Sequence, residues 1–227
     1  MPTYGQFCPV AETAELVCER WMPLVLRELM LGSTRFTELQ RGVPLISPAL
    51  LSKRLRQLTA AGVVTAHGEG RHRTYEMTPA GWELYPVIEA MGVWGQRWAR
   101  SDYGPDELDP SLLMWDMRRM LRAAGLAERR VVIEFWIRNA PPRKTTYWLV
   151  VEDAVDLCLV DPGRDVDLRV NADLRALTEI WMGDRTMAQA AEAGLIELLG
   201  PQPLVDRFPG WLGSHPVLGK VARAESR

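Results

Sequence analysis

The residues best suited to chemistry in this chain are cationic and hydrogen-bonding rather than catalytic. Between positions 35 and 75, Arg35, Arg41, Lys53, Arg54, Arg56, Arg71 and Arg73 stand against only Glu38 and Glu69, a local charge of +5. Guanidinium and ammonium groups at this density suit phosphate, and a local basic face governs such binding more than the whole-chain total of −2. The first hundred residues carry +2 and the remainder −4, so the average conceals a division. Other chemistries find little support. Histidines occur only at 67, 72 and 215, and Cys8, Cys18 and Cys158 show neither zinc-ligand spacing nor a disulfide framework. Gly68-Glu69-Gly70 lacks the third glycine of a phosphate loop, and Asp161, Asp165 and Asp167 lack the closing glutamate of a calcium loop. No Ser-His-Asp or Cys-His arrangement stands out. The sequence therefore predicts no enzyme, no cofactor and no metal site.

Folded elements must position those cations, and the composition allows them: 47% hydrophobic and 25% charged residues are ordinary for a globular chain. A length of 227 residues suits two domains. The stretch 101–110 holds two prolines, a glycine and four acids, and reads as a linker between domains at 1–100 and 111–215, with a tail at 216–227. No apolar run is long enough to span a bilayer and the first residues do not resemble a secretory signal, so a cytoplasmic protein with no membrane partner is expected.

In the first domain, apolar periodicity predicts helices over 11–19, 21–31 and 36–42. Ser47 then supplies a cap and Pro48 a first helical residue for a helix reaching Ala61, where Gly62 stops it. Leu51, Leu55 and Leu58 recur at i, i+4, i+7 and must face the core, which turns Ala49, Ser52, Lys53, Arg56 and Gln57 outward. A helix with short, basic and amide side chains on its outer face suits the DNA major groove. Strand-like runs at 63–66 and 73–77 flank 67–72, predicting a hairpin with Arg71 and Arg73 near its tip. A long helix from Thr78-Pro79 to about 100 carries Leu84, Val87, Ile88, Met91, Trp94 and Trp98, and Pro86 should bend its first turns.

On these residues the chain closely resembles the HxlR family of winged helix-turn-helix regulators. The match is carried by Cys8-Pro9-Val10, Arg20-Trp21, Leu26-Arg27-Glu28-Leu29, Arg35-Phe36-Thr37-Glu38-Leu39, Ile46-Ser47-Pro48, Leu51-Ser52-Lys53-Arg54-Leu55 and Tyr75-Glu76-Met77-Thr78-Pro79. It covers about 8–100. The resemblance implies a transcriptional regulator, expected to be a repressor, that binds double-stranded DNA as a homodimer joined through the first and last helices of the domain. It implies that Ser47, Ala49, Ser52, Lys53, Arg56 and Gln57 meet the major groove while Arg71 and Arg73 hold phosphates or the adjacent minor groove. The stripe from Leu84 to Trp98 then becomes the dimer interface. A short wing departs from the family pattern. By position, Cys8 is the family's candidate redox- or electrophile-sensing thiol, with an inert helix-start cysteine as the alternative.

Beyond the linker, a helix at 112–122 precedes strand-like runs at 130–138, 145–152, 155–160 and 165–171, whose short connections predict an antiparallel meander. Helices at 172–182 and 186–193, a strand at 195–200 and a helix at 201–212 complete an α+β pattern. About 125–212 resembles a sterol-carrier-protein-like domain, on Val166-Asp167-Leu168-Arg169-Val170, Leu177-Thr178-Glu179-Ile180-Trp181-Met182-Gly183-Asp184, Gly194-Leu195-Ile196-Glu197 and Phe208-Pro209-Gly210-Trp211-Leu212. Such a domain implies either the sensing of a small apolar or lipid-like ligand, or a structural or dimerisation module that leaves Cys8 as the input. Trp115, Met117, Trp136, Trp148, Trp181 and Met182 are the candidate pocket lining, with plain core as their alternative.

Overall fold

The computed structural model describes residues 3–99, 103–104, 107–121, 130–212 and 215. The expected tail at 216–227 and the predicted helix end at Arg100 lie outside the described residues. Two units divide the chain, Met1–Met91 and Gly92–Arg227.

In the first unit, helices begin where prolines and capping side chains dictate. Pro9 opens α1 (Pro9–Val17), with Cys8 at its cap. Then follow α2 (Met22–Met30) and α3 (Phe36–Gly42). Ser47 caps α4 (Pro48–Ala60), its Oγ accepting the Leu50 amide at 3.3 Å, as the Ser-Pro pair predicts. Gly62, at φ 72°, supplies the left-handed turn after it. The wing consists of β1 (Val64–His67) and β2 (Thr74–Met77), antiparallel around a short 3₁₀ turn at Gly70–His72. Leu26, Leu39, Leu51, Leu55 and Leu58, all at 1% exposure or less, tie α2, α3 and α4 into one core.

The predicted long helix is two. Thr78 caps the single-turn α5 (Pro79–Trp82), and α6 (Tyr85–Trp94) restarts with Pro86 in its first turn. A π turn at Gly95–Ala99 ends it, and the unit boundary falls inside α6.

The second unit is a five-stranded sheet in the order β5-β4-β3-β6-β7. Its strands are β3 (Val131–Arg138), β4 (Thr146–Val151), β5 (Val155–Cys158), β6 (Leu168–Asp173) and β7 (Ile196–Leu199). Alternation sends Ile133, Phe135 and Ile137 of β3, Tyr147 and Leu149 of β4, and Leu168, Val170 and Ala172 of β6 onto one face. There they meet α7 (Pro110–Met120), α8 (Leu174–Met182), α9 (Met187–Glu192) and α10 (Gln202–Leu212).

The expected meander holds for three strands and fails at the fourth. β6 does not continue beyond β5 but lies parallel to β3 on its other side, Ile133 opposite Leu168 and Phe135 opposite Val170. Asp167 makes this return: its amide donates to the Val132 carbonyl, and its carboxylate accepts the Val132 amide, both at 2.9 Å. The sheet is therefore mixed. A strand as thoroughly buried as β3 needs a hydrogen-bonding neighbour on both edges.

Candidate nucleic-acid interface

Local sequence sets the outer face of α4. With Leu51, Leu55 and Leu58 inside, Ala49, Lys53 and Arg56 are exposed and Ser52 and Gln57 half-buried. Ser47, at the cap, is also exposed.

Arg54, which the charge count placed in the basic segment, points the other way. Its side chain is 6% exposed and forms a salt bridge with Glu19. Its Nε donates to the Arg20 carbonyl at 3.0 Å, and its other nitrogen to Gln57 Oε1 at 2.8 Å. The guanidinium thus fastens α4 to the turn between α1 and α2 and occupies the amide oxygen of Gln57. A single-residue charge count has no means of separating it from Lys53 next door.

The wing's cations are exposed, Arg71 in the 3₁₀ turn and Arg73 between that turn and β2. Arg73 Nε reaches the Gly68 carbonyl at 3.5 Å. A residue the sequence reading left out of the interface joins them: Arg35 is exposed and forms an isolated antiparallel bridge with Thr74, while the Tyr75 amide donates to the Thr34 carbonyl at 2.8 Å. The start of α3 is therefore stitched to the wing. Glu38 fixes that start by accepting the Thr34 and Arg35 amides at 2.9 and 3.0 Å. Beneath them Glu28 is fully buried, hydrogen-bonded to Arg27 and Ser33, and its carboxylate occupies the space that a side chain on Gly42 would need.

The predicted apolar stripe divides. Leu84 and Ile88 pack on the first unit's core, whereas Val87, Met91 and Trp94 are exposed along α6 and Trp98 is exposed in the π turn. Val87 and Met91 also line a shallow groove of about 330 Å³ with Val10, Thr13, Ala14 and Cys18 of the α1 region. Cys8 is half-buried at the start of α1.

The six candidate lining residues of the second unit do not converge. Met117 is core, and Trp115 is buried with the Arg118 guanidinium 4.1 Å from its ring centroid. Trp136 and Trp148 alternate with core residues and so lie on the opposite face of the sheet, which corrects their assignment to one pocket with Trp181. There the Arg169 guanidinium stacks 4.8 Å from the Trp136 centroid and pairs with Glu134. Trp181 and Met182 share a cavity of about 400 Å³ between α7 and α8, and the other four do not line it. Among the described residues no cluster of potential ligands could hold a metal ion, and no helix is long and apolar enough to cross a membrane.

A family model of HxlR-like helix-turn-helix proteins matches residues 16–103. The chain is 32% identical over 113 residues to YvaP of Bacillus subtilis, an uncharacterized HTH-type transcriptional regulator, covering 48% of this chain and 96% of YvaP. It is 35% identical over 101 residues to the similarly described sll1512 of Synechocystis sp., covering 43% of this chain and 75% of that one. Among solved structures, the reduced form of the transcriptional regulator YodB from B. subtilis is 29% identical over 42% of this chain and 97% of YodB, at a TM-score of 0.36 too low to support any inference. Residues 104–227 lie outside the family match.

Proposed function

Because the chain belongs to the HxlR-like helix-turn-helix family, we propose that it regulates transcription by binding duplex DNA as a homodimer, α4 lying in the major groove. The observation that carries this reading is the division of α4 into a leucine face at 1% exposure or less and an outer face presenting Ser47, Ala49, Ser52, Lys53 and Arg56. Short side chains allow the backbone to approach the groove, and Arg56 is long enough for bidentate contact with a guanine edge. Arg71 and Arg73 serve the phosphates or the minor groove beside it. The exposed Val87, Met91 and Trp94 and the adjoining groove support dimerisation through α1 and α6, since contiguous apolar surface on a soluble chain marks an interaction site.

The second unit is read as a sterol-carrier-like domain that senses a small ligand. Its sheet with helices packed on one face and its cavity beside Trp181 support that reading. Ligand control follows if the ligand favours one dimer geometry over another.

The test is selection of bound sequences from a randomised duplex library, followed by titration of the best site at several salt concentrations. A two-fold symmetric site with half-sites one helical turn or a multiple apart is expected, with affinity falling steeply as salt rises. Enrichment of no sequence at all would remove the reading.

A further inference from the structure

The N-terminal end of α4, the part of such a helix that meets base edges, carries an unusual surface for that task. Pro44, Leu45, Ser47, Pro48 and Ala49 are all exposed, and of them only Ser47 is polar. Its Oγ accepts the Leu50 amide at 3.3 Å. The turn before the helix is built to hold its apolar tip outward. Val43 and Ile46, each 2% exposed, are its buried corners. The Ile46 amide donates to the Val43 carbonyl at 3.1 Å, and Gln40 Nε2 donates to the Ile46 carbonyl at 2.7 Å. Anchored on both sides, the turn leaves Leu45 83% exposed. The charged side chains of α4 begin a turn later. Ala49, Ser52, Lys53 and Arg56 follow one another at i, i+3, i+4 and i+7 and so share one face of the helix. A duplex gripped by Lys53 and Arg56 therefore lies against Ala49 as well.

We infer that Leu45 and Ala49 read the C5-methyl groups of thymines, so that each half-site of the operator holds a thymine opposite the start of α4. This deepens the DNA-binding reading and rests on α4 lying in the major groove. The edges displayed in that groove are hydrogen-bond donors and acceptors with one exception, the thymine methyl. A side chain with neither donor nor acceptor satisfies no polar edge and dries it at a cost. Against a thymine methyl the same side chain removes apolar surface from water on both partners. A cytosine in that place lacks the methyl and brings an amino donor to an apolar wall. Polar readout then falls to the next turn of the helix, where Ser52, Lys53 and Arg56 stand.

Uracil is the probe, since it differs from thymine only by the missing methyl and keeps the same pairing edge. Sites selected by the whole chain from the randomised library should carry a thymine at a fixed place in each half-site. In the best site, symmetric pairs of thymines are then replaced by uracil, one pair at a time, and affinity is measured by titration. At least one pair should bind about three- to five-fold more weakly per methyl lost, or about ten- to twenty-five-fold for the two half-sites together. Leu45→Ser and Ala49→Gly are each measured on the thymine and uracil duplexes. Leu45 lies outside the core, so its replacement leaves the fold in place. At least one variant should reduce the uracil penalty to about two-fold or less, because the methyl then has no partner to lose. A thymine-free consensus, no weakening by uracil at any position, or a full penalty in both variants overturns the inference while leaving DNA binding intact. Selection of no site at all removes the DNA-binding reading and the inference with it.

Discussion

Arg54 and Glu19 form a salt bridge that joins the middle of α4 to the turn after α1. The bridge is reinforced by the Arg20 carbonyl, so one guanidinium links α4 to the chain that follows α1. Arg54→Leu should lower unfolding free energy by about 2–4 kcal/mol, since it strips a buried charge network of its centre. Denaturant titration measures this, and a double-mutant cycle with Glu19→Gln isolates the pair. A loss no larger than that of a surface substitution would mean that the bridge does not form in solution.

Lys53 and Arg56 should separate by the kind of contact they make. Arg56→Ala is expected to cost about 1–3 kcal/mol of operator binding and to relax specificity at one base pair. Lys53→Ala should weaken all sequences alike and reduce the salt slope by about one. Unchanged binding in the double variant would place DNA elsewhere on the molecule.

Under the proposed dimerisation through α1 and α6, Met91→Glu should shift the protein towards monomer in sedimentation velocity. Met91 is 46% exposed on α6 and lines the groove beside α1, so a carboxylate there burdens an interface without adding to a core. DNA affinity should fall with it, because two half-sites would no longer be engaged together.

Gly42 is expected to tolerate no side chain. A Cβ there would overlap the carboxylate of Glu28, which is buried and held by Arg27 and Ser33. Gly42→Ala should destabilise the first unit by about 1–3 kcal/mol, read by thermal melting of the whole chain. A neutral result would show that α2 and α3 can separate.

Tyr147 provides a test at alkaline pH. Burial first, then the Asp109 carboxylate, push its phenol above the ordinary value of 10.0, while the hydrogen bond with Ser111 Oγ at 2.9 Å opposes them. A folded pKa raised above the unfolded one contributes stability that is complete below about pH 10 and is lost as pH rises through the folded value. Stability should therefore fall above about pH 10, and Tyr147→Phe should flatten that limb. An equal decline in the variant would assign it to other groups.

The start of α4 and the division of its faces were legible because their determinants are local. A Ser-Pro start and leucines at i, i+4, i+7 fix both the beginning of α4 and its buried side, whatever lies beneath. Arg54 was not legible, since its partners sit at Glu19 and Arg20, distant in sequence. The same limit applied to β6. The run at 165–171 announces a strand, which the structure places at Leu168–Asp173, but the neighbour is chosen by Asp167 gripping Val132. Trp136 is a different case, because the information was present: next to Phe135 on a strand, it must face away from the core that Phe135 enters.

The parallel pairing of β3 with β6 bears on how the protein is made. As the chain leaves the ribosome, β3, β4 and β5 emerge first and can form hairpins at once. The second edge of β3 stays unpaired until residues 168–173 have been synthesised, and β7 follows later still. During that interval the most thoroughly buried strand of the finished unit presents open backbone groups to any passing chain, which is the state that invites aggregation and chaperone capture. Slowing translation of the codons read while β3 is already outside the ribosome and β6 is still inside it should lengthen that exposure and lower soluble yield, while leaving the finished fold unchanged.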